Sequence, residues 1–232
     1  MVVIERLNFR GNPNIGIYAF ATDRYAIISH DADEKFYRYV TRILQVPVVK
    51  TSIGDTGLIG VLLAGNNNGL LLPSIAKEYE VLELKKSIDV NIAVTKSKFT
   101  ALGNICLVND KAALLHPEAY EELRHVVVDV LGVQVVEKGA IAGFPTVGSI
   151  AFVSSVAGIV HPEADEREVE FLSDLFGVPF DVGTVNFGVG FIKSGLVGNS
   201  KGILVGDRTT GPEIMRIGKL FGVAGHGRGK DI

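Results

Sequence analysis

The stretch GNICLVNDKAALLHPEAYEELRHVVVDVLGVQVV, residues 103–136, has a counterpart in GSIAFVSSVAGIVHPEADEREVEFLSDLFGVPFDV, residues 148–182. Both run from a glycine through an apolar segment, a polar turn and a second apolar segment to His-Pro-Glu-Ala. A helical pattern and an apolar-Gly-Val triplet follow. The register extends in both directions. Unit starts fall at Gly16, Gly60, Gly103, Gly148 and Lys193, which are 44, 43, 45 and 45 residues apart. A valine lies thirty residues after each start, at Val46, Val90, Val133, Val178 and Val223. Self-similarity at a period of about 45 residues marks a repeat architecture, here of five units.

Each unit has a physical reading. The apolar runs Ile105 to Val108 and Ala112 to Leu115 flank a short polar turn, the pattern of a β-hairpin. The turn recurs at Thr22-Asp23-Arg24, Asn66-Asn67-Asn68, Ser154-Ser155 and Asn199-Ser200-Lys201. Asn66 to Gly69 reads as a tight turn because Asn and Gly tolerate left-handed backbone. One-sided stripes at helical spacing follow: Phe36, Val40 and Ile43; Leu123, Val127 and Val130; Val169, Leu172 and Phe176; Ile214, Ile217 and Leu220. Pro117, Pro162 and Pro212 suit a first helical turn, where a missing N–H costs nothing. A third strand, such as Val133 to Val136, closes the unit. The boundaries expected are 3–47, 48–91, 92–136, 137–181 and 182–224, with a flexible tail over 225–232. One hairpin and one helix cannot bury their own apolar face, so neighbours must cover it. An open stack needs polar caps at its ends; the first and fifth units are as apolar as the middle ones. The expectation is an α/β fold: a five-bladed, pseudo-fivefold propeller with helices outside and strands around a central channel.

Composition narrows the function. The 232 residues are 47% hydrophobic and 21% charged, enough for a sizeable core and against disorder. The formal net charge of −3 disfavours broad electrostatic binding of nucleic acid. The acidic run Glu163, Asp165, Glu166, Glu168 and Glu170 reads as the solvated face of a helix. A single cysteine, Cys106, leaves no intrachain disulfide and no Cys-based zinc site. No apolar stretch reaches the roughly 18 residues of a membrane span, and the N-terminus lacks a signal-peptide pattern. A cytoplasmic protein is expected, with no metal and no cofactor. A closed ring needs no partner to hide its strand edges, so a monomer is expected.

The phrases TSIGDTGLIGVLLAGNNNGLLLP (51–73), TALGNICLVNDKAALLHPE (100–118), VGSIAFVSSVAGIVHPE (147–163) and VPFDVGTVNFG (178–188) resemble the translation initiation factor 6 family, over residues 3 to about 224. The length resembles its archaeal branch. The resemblance implies the pentein fold and a non-enzymatic factor that needs no cofactor. It implies binding to the large (50S) ribosomal subunit, on the face that would meet the small (30S) subunit, and so anti-association activity. A role in large-subunit biogenesis is also implied. The implied contacts are ribosomal proteins next to the sarcin–ricin loop, with limited ribosomal RNA contact. Residues at one repeat position share one rim of a closed ring, and the family's docking surface includes the rim at the starts of the first strands. Carried over by motif, the implied ribosome-binding residues are Val61, Asn104, Ser149 and Ile150. Members often carry a basic residue where this chain has Val61.

The pentein fold also hosts guanidino-modifying enzymes, the alternative reading. Those need a cysteine nucleophile in the last unit, a histidine acid/base and carboxylates for the guanidinium. The fifth unit has no cysteine. Cys106 reads as a buried apolar residue in mid-strand. His116 and His161 stand at equivalent places before Pro117 and Pro162, which points to a structural job at the helix entry, and His125 reads as a surface or helix-packing residue. The glycine-rich, mildly basic segment Gly225 to Lys230 is a candidate for contact with ribosomal RNA.

Overall fold

In the computed structural model, which describes residues 2–222, the repeat becomes a ring of five three-stranded sheets. The chain begins with β1 (Val3–Leu7). The first unit then has a 3-10 turn (Ile15–Ile17), β2 (Ala19–Ala21), β3 (Ala26–Ser29), α1 (Glu34–Leu44) and β4 (Val48–Thr51). The second has a one-turn α2 (Ile59–Leu62), β5 (Ala64–Gly65), β6 (Gly69–Leu72), α3 (Glu78–Ser87) and β7 (Asn91–Val94). The third has α4 (Leu102–Ile105), β8 (Cys106–Val108), β9 (Ala112–Leu115), α5 (Tyr120–Leu131) and β10 (Val135–Lys138). The fourth has α6 (Val147–Ile150), β11 (Ala151–Val153), β12 (Gly158–Val160), α7 (Glu166–Phe176) and β13 (Phe180–Val182). The fifth has a 3-10 turn (Ile192–Gly195), β14 (Leu196–Gly198), β15 (Gly202–Gly206) and α8 (Gly211–Leu220).

Within each unit the hairpin is antiparallel and the third strand pairs in parallel with the second, as in Val135 to Lys138 against Ala112 to Leu115. The helix is the crossover that such a parallel pair requires. First strands line the central channel: Ala19 to Ala21, Cys106 to Val108 and Leu196 to Gly198 all face it. Second strands are buried throughout, as Ala112 to Leu115 and Gly202 to Gly206 show. Their uninterrupted apolar sequence fits strands covered on both faces.

Five apolar clusters follow, each shared between units. Leu107 and Leu114 of the third unit pack with Leu172, Leu175 and Phe176 of the fourth. Leu204 of the fifth packs with Phe36, Val40 and Ile43 of the first. The apolar stripe of each helix therefore lands on the sheet of the preceding blade, the mutual cover that the repeat argument demanded.

Several expectations are corrected. In the fifth unit, α8 is not followed by a third strand of its own among the described residues. Instead β1 pairs in parallel with β15, from Val3 on Gly202 to Leu7 on Gly206, so the two ends of the chain complete one blade. The boundaries placed near 47, 91, 136 and 181 cut close to or through third strands; the first four sheets span residues 19–51, 64–94, 106–138 and 151–182. Pro162 precedes its helix, which starts at Glu166 with Asp165 as N-cap. The turn at Asn66 uses no left-handed residue. Its Asn66 Oδ1 instead accepts from the N–H groups of Asn68 (3.0 Å) and Gly69 (3.1 Å), the Asx-turn geometry. The Asn66 amide also donates to Leu131 O at 2.8 Å, at the end of the next unit's helix. Asn109 does the same to Phe176 O (2.9 Å) and Asn199 to Leu44 O (2.9 Å). The turn residues thus cap helices of the neighbouring blade. In the acidic run, Glu163, Asp165, Glu166 and Glu170 are exposed, but Glu168 turns back to accept from Asp165 N and Ala142 N. Val223 and the segment 225–232 lie outside the described residues.

Candidate functional site

The repeat glycines dictate how closely the blades meet. A Cβ on Gly60 would lie 1.8 Å from the carbonyl oxygen of Gly16. On Gly103 it would lie 2.1 Å from Gly60 O, and on Gly148 2.3 Å from Gly103 O. Only hydrogen fits there. The unit starts, read from sequence as strand starts, are one-turn helical segments. Each packs against the next, and the turn at Ile192–Gly195 closes on that at Ile15–Ile17. They form the innermost collar at one mouth of the channel.

Val61, Asn104 and Ser149 come together at this mouth, which encloses a cavity of about 380 Å³. All three are half-buried. Ser149 Oγ donates to Thr146 O (2.7 Å) and lies 3.1 Å from Thr146 Oγ1, so it is held in place. Asn104 makes its turn through its backbone N–H to Ala101 O (3.0 Å), which leaves the carboxamide to the mouth. Ile150 is the exception. Its side chain is 0% exposed and packs with Leu172, Leu175 and Phe176, so it is core and not a surface contact. One residue of register separates it from Ser149, and on a single helical turn that step points a side chain inward.

Beyond the contacts named from sequence, the mouth includes Ile17, Thr146, Phe191, Ser194 and the unit-start residue Lys193. A signal existed for the last, since Lys193 breaks the glycine pattern. Its Nζ donates to Gly103 O at 3.0 Å, reaching over to the third unit. Burial drives its ammonium down to about 8, with Cys106 acting in the opposite direction. Phe191 is held edge-on by Phe144, with ring centroids 5.7 Å apart.

Cys106 lies behind this collar, 3% exposed, and burial pushes its thiol up to about 12. A nucleophilic cysteine needs the opposite, a thiolate near neutral pH. His116 Nδ1 accepts from Glu118 N (3.1 Å) and caps the 3-10 turn Pro117–Ala119, while His161 Nδ1 accepts from Glu163 N (3.2 Å) in the turn that precedes α7. His125 is exposed on α5. Among the described residues no group of three or more His, Cys, Asp or Glu side chains could hold a metal. No helix among them is long and apolar enough to cross a membrane.

The chain resembles known proteins over nearly its whole length. A translation initiation factor 6 of Aeropyrum pernix is 48% identical over 223 residues, covering 94% of this chain and 95% of that one. Those of Saccharolobus islandicus and Pyrococcus horikoshii are each 41% identical, over 220 and 224 residues, with 94% of this chain and 99% and 98% of theirs. A solved structure of a DDAH from Pseudomonas aeruginosa, a mutant complexed with citrulline, overlaps over 73% of this chain and 68% of its own at a TM-score of 0.45 and 13% identity, too distant to bear on function. The family described as the eIF-6 family matches residues 4–220, and the chain belongs to it.

Proposed function

We propose that the protein is an anti-association translation factor that docks its collar mouth on the large ribosomal subunit and so excludes the small subunit. The observation that carries this reading is the convergence of Val61, Asn104 and Ser149, from three different units, at one mouth. Family membership supports the translational role. The mechanism is steric. A compact chain of this length has a radius of gyration of roughly 17 Å, and about 800 Å² per partner suffices for a stable interface. Factor and small subunit then compete for one surface, with occupancy set by affinity and concentration. Ribosomal proteins beside the sarcin–ricin loop are the principal partners, with limited ribosomal RNA contact, as suits a net charge of −3. The same occupancy serves large-subunit maturation.

Sedimentation through sucrose gradients with archaeal subunits tests the proposal. The protein should travel with the large subunit and reduce the yield of joined ribosomes. Asn104→Arg, which adds bulk and charge at the mouth without touching the core, should cut the bound fraction about tenfold, roughly 1.4 kcal/mol, with an unchanged melting transition. A wild-type protein that stays at the top of the gradient refutes the docking; equal co-sedimentation of the variant removes Asn104 from the interface.

A further inference from the structure

Lys193 stands where four other units have glycine, and among the described residues it brings the only charged side chain to a mouth otherwise lined by apolar, amide and hydroxyl groups. Lys193 also lines the narrower channel cavity of about 60 Å³, where no acidic residue among the described residues faces it. An ammonium has three donors. One goes to Gly103 O, and no carboxylate among the described residues pairs with it. Withdrawing a cation from water is costly unless an opposite charge or several acceptors replace the solvent. The cavity above Lys193, at about 380 Å³, exceeds what an inorganic ion needs, and Ile17, Val61 and Phe191 give it apolar and aromatic walls. Pockets with apolar walls and few convergent polar groups are the usual form of small-ligand sites.

We propose that the collar mouth binds a small organic anion, its carboxylate or phosphate head on the Lys193 ammonium and its apolar body against Ile17, Val61 and Phe191. This site does not depend on ribosome docking. The titratable group that faces Lys193 from β8 is Cys106, whose thiol, near 12, stays neutral at physiological pH. The turns that carry Ile17, Val61, Asn104 and Ser149 bring no titratable side chain to the mouth, and His161 lies behind the Phe191 ring, outside the lining.

Titration calorimetry on the full chain at constant ionic strength, with benzoate, phenyl phosphate and the neutral benzyl alcohol as probes, tests this. At least one anion should bind with one-to-one stoichiometry; binding of benzoate alone identifies a carboxylate site and of phenyl phosphate alone a phosphate site. Benzyl alcohol should bind about tenfold more weakly or worse, and Lys193→Met, which keeps the channel filled, should weaken the anion about tenfold. Should that variant fail to fold, the wild type decides: benzoate affinity should hold from about pH 6 to 7 and fall roughly tenfold by about pH 9, as Lys193 loses its proton around 8. Failure of both anions to bind at about 10 mM, equal binding of benzyl alcohol, equal binding by Lys193→Met, or a flat pH profile overturns the proposal.

Discussion

Glu213 shows how single residues fasten this ring. Its carboxylate accepts from Thr210 N (2.6 Å), Thr210 Oγ1 (2.8 Å), Thr184 Oγ1 (2.8 Å) and Gly188 N (2.9 Å), so it caps α8 and ties down the loop before the fifth blade. Glu80 does the same for the second blade, with Ser52, Gly54, Asp55 and Lys77 as donors. Burial works to raise the pKa of Glu213, but these donors outweigh it and hold the carboxyl down at about 2, against an ordinary 4.5. A folded-state value below the unfolded one stabilises the fold above about pH 4.5, and that contribution is lost as pH falls toward 2. Glu213→Gln should therefore cost roughly 1–3 kcal/mol at pH 7 in urea denaturation, and the gap to wild type should close as pH falls toward 2. A gap that stays constant with pH would show that charge is not the cause. At Cys106, burial predicts alkylation on the order of 100-fold slower in the native protein than in the denatured chain at neutral pH. Rapid native labelling would reopen the nucleophile reading.

Among the elements, the one-turn collar segments are the most constrained. Gly60→Ala places a methyl group 1.8 Å from a backbone oxygen that cannot move without displacing its own blade. The expected cost is about 3 kcal/mol or more, read as a lowered midpoint or loss of soluble protein. Gly211→Ala is the control: a Cβ there meets nothing within 4 Å, so its stability should change by less than about 1 kcal/mol. Equal behaviour of the two would mean that collar spacing is not what selects glycine. Helices and hairpins were readable from spacing because burial periodicity survives in each unit separately. Phe36, Val40 and Ile43 are buried as their stripe requires, as are Leu123 and Val127. In α7, Leu175 is buried beside Leu172 and Phe176. The collar was misread as the beginning of the first strands because one helical turn is too short to show a period.

At the scale of the whole molecule, β1 is the clasp. Val3 to Leu7 occupies the outer place of the fifth sheet, and Leu7 is 2% exposed in the core shared with α1. Deleting residues 1–8 should open the ring between the fifth and first blades, leave the β15 edge unpaired, and produce self-association and a broadened thermal transition. A truncated chain that stays monomeric, with an unchanged melting midpoint on size-exclusion chromatography and calorimetry, would show that the clasp is dispensable. The same closure brings the 3-10 turn at Ile192–Gly195 against that at Ile15–Ile17, which completes the mouth and aims Lys193 across it.

The amino-acid sequence alone determined the number of blades, their internal order of hairpin and helix, and the side of each helix that faces inward. Those properties depend on residues within one 45-residue unit, where the period of burial is written directly. Tertiary structure decided the rest. It separated Ser149, at the mouth, from its neighbour Ile150, in the core, because the two differ only in direction around one turn. It supplied the fifth blade's outer strand from the far end of the chain, since parallel pairing is indifferent to sequence distance. And it turned the break in the glycine pattern at Lys193 into a cation inside a ring, because a side chain has no address in the channel until five blades have closed around it.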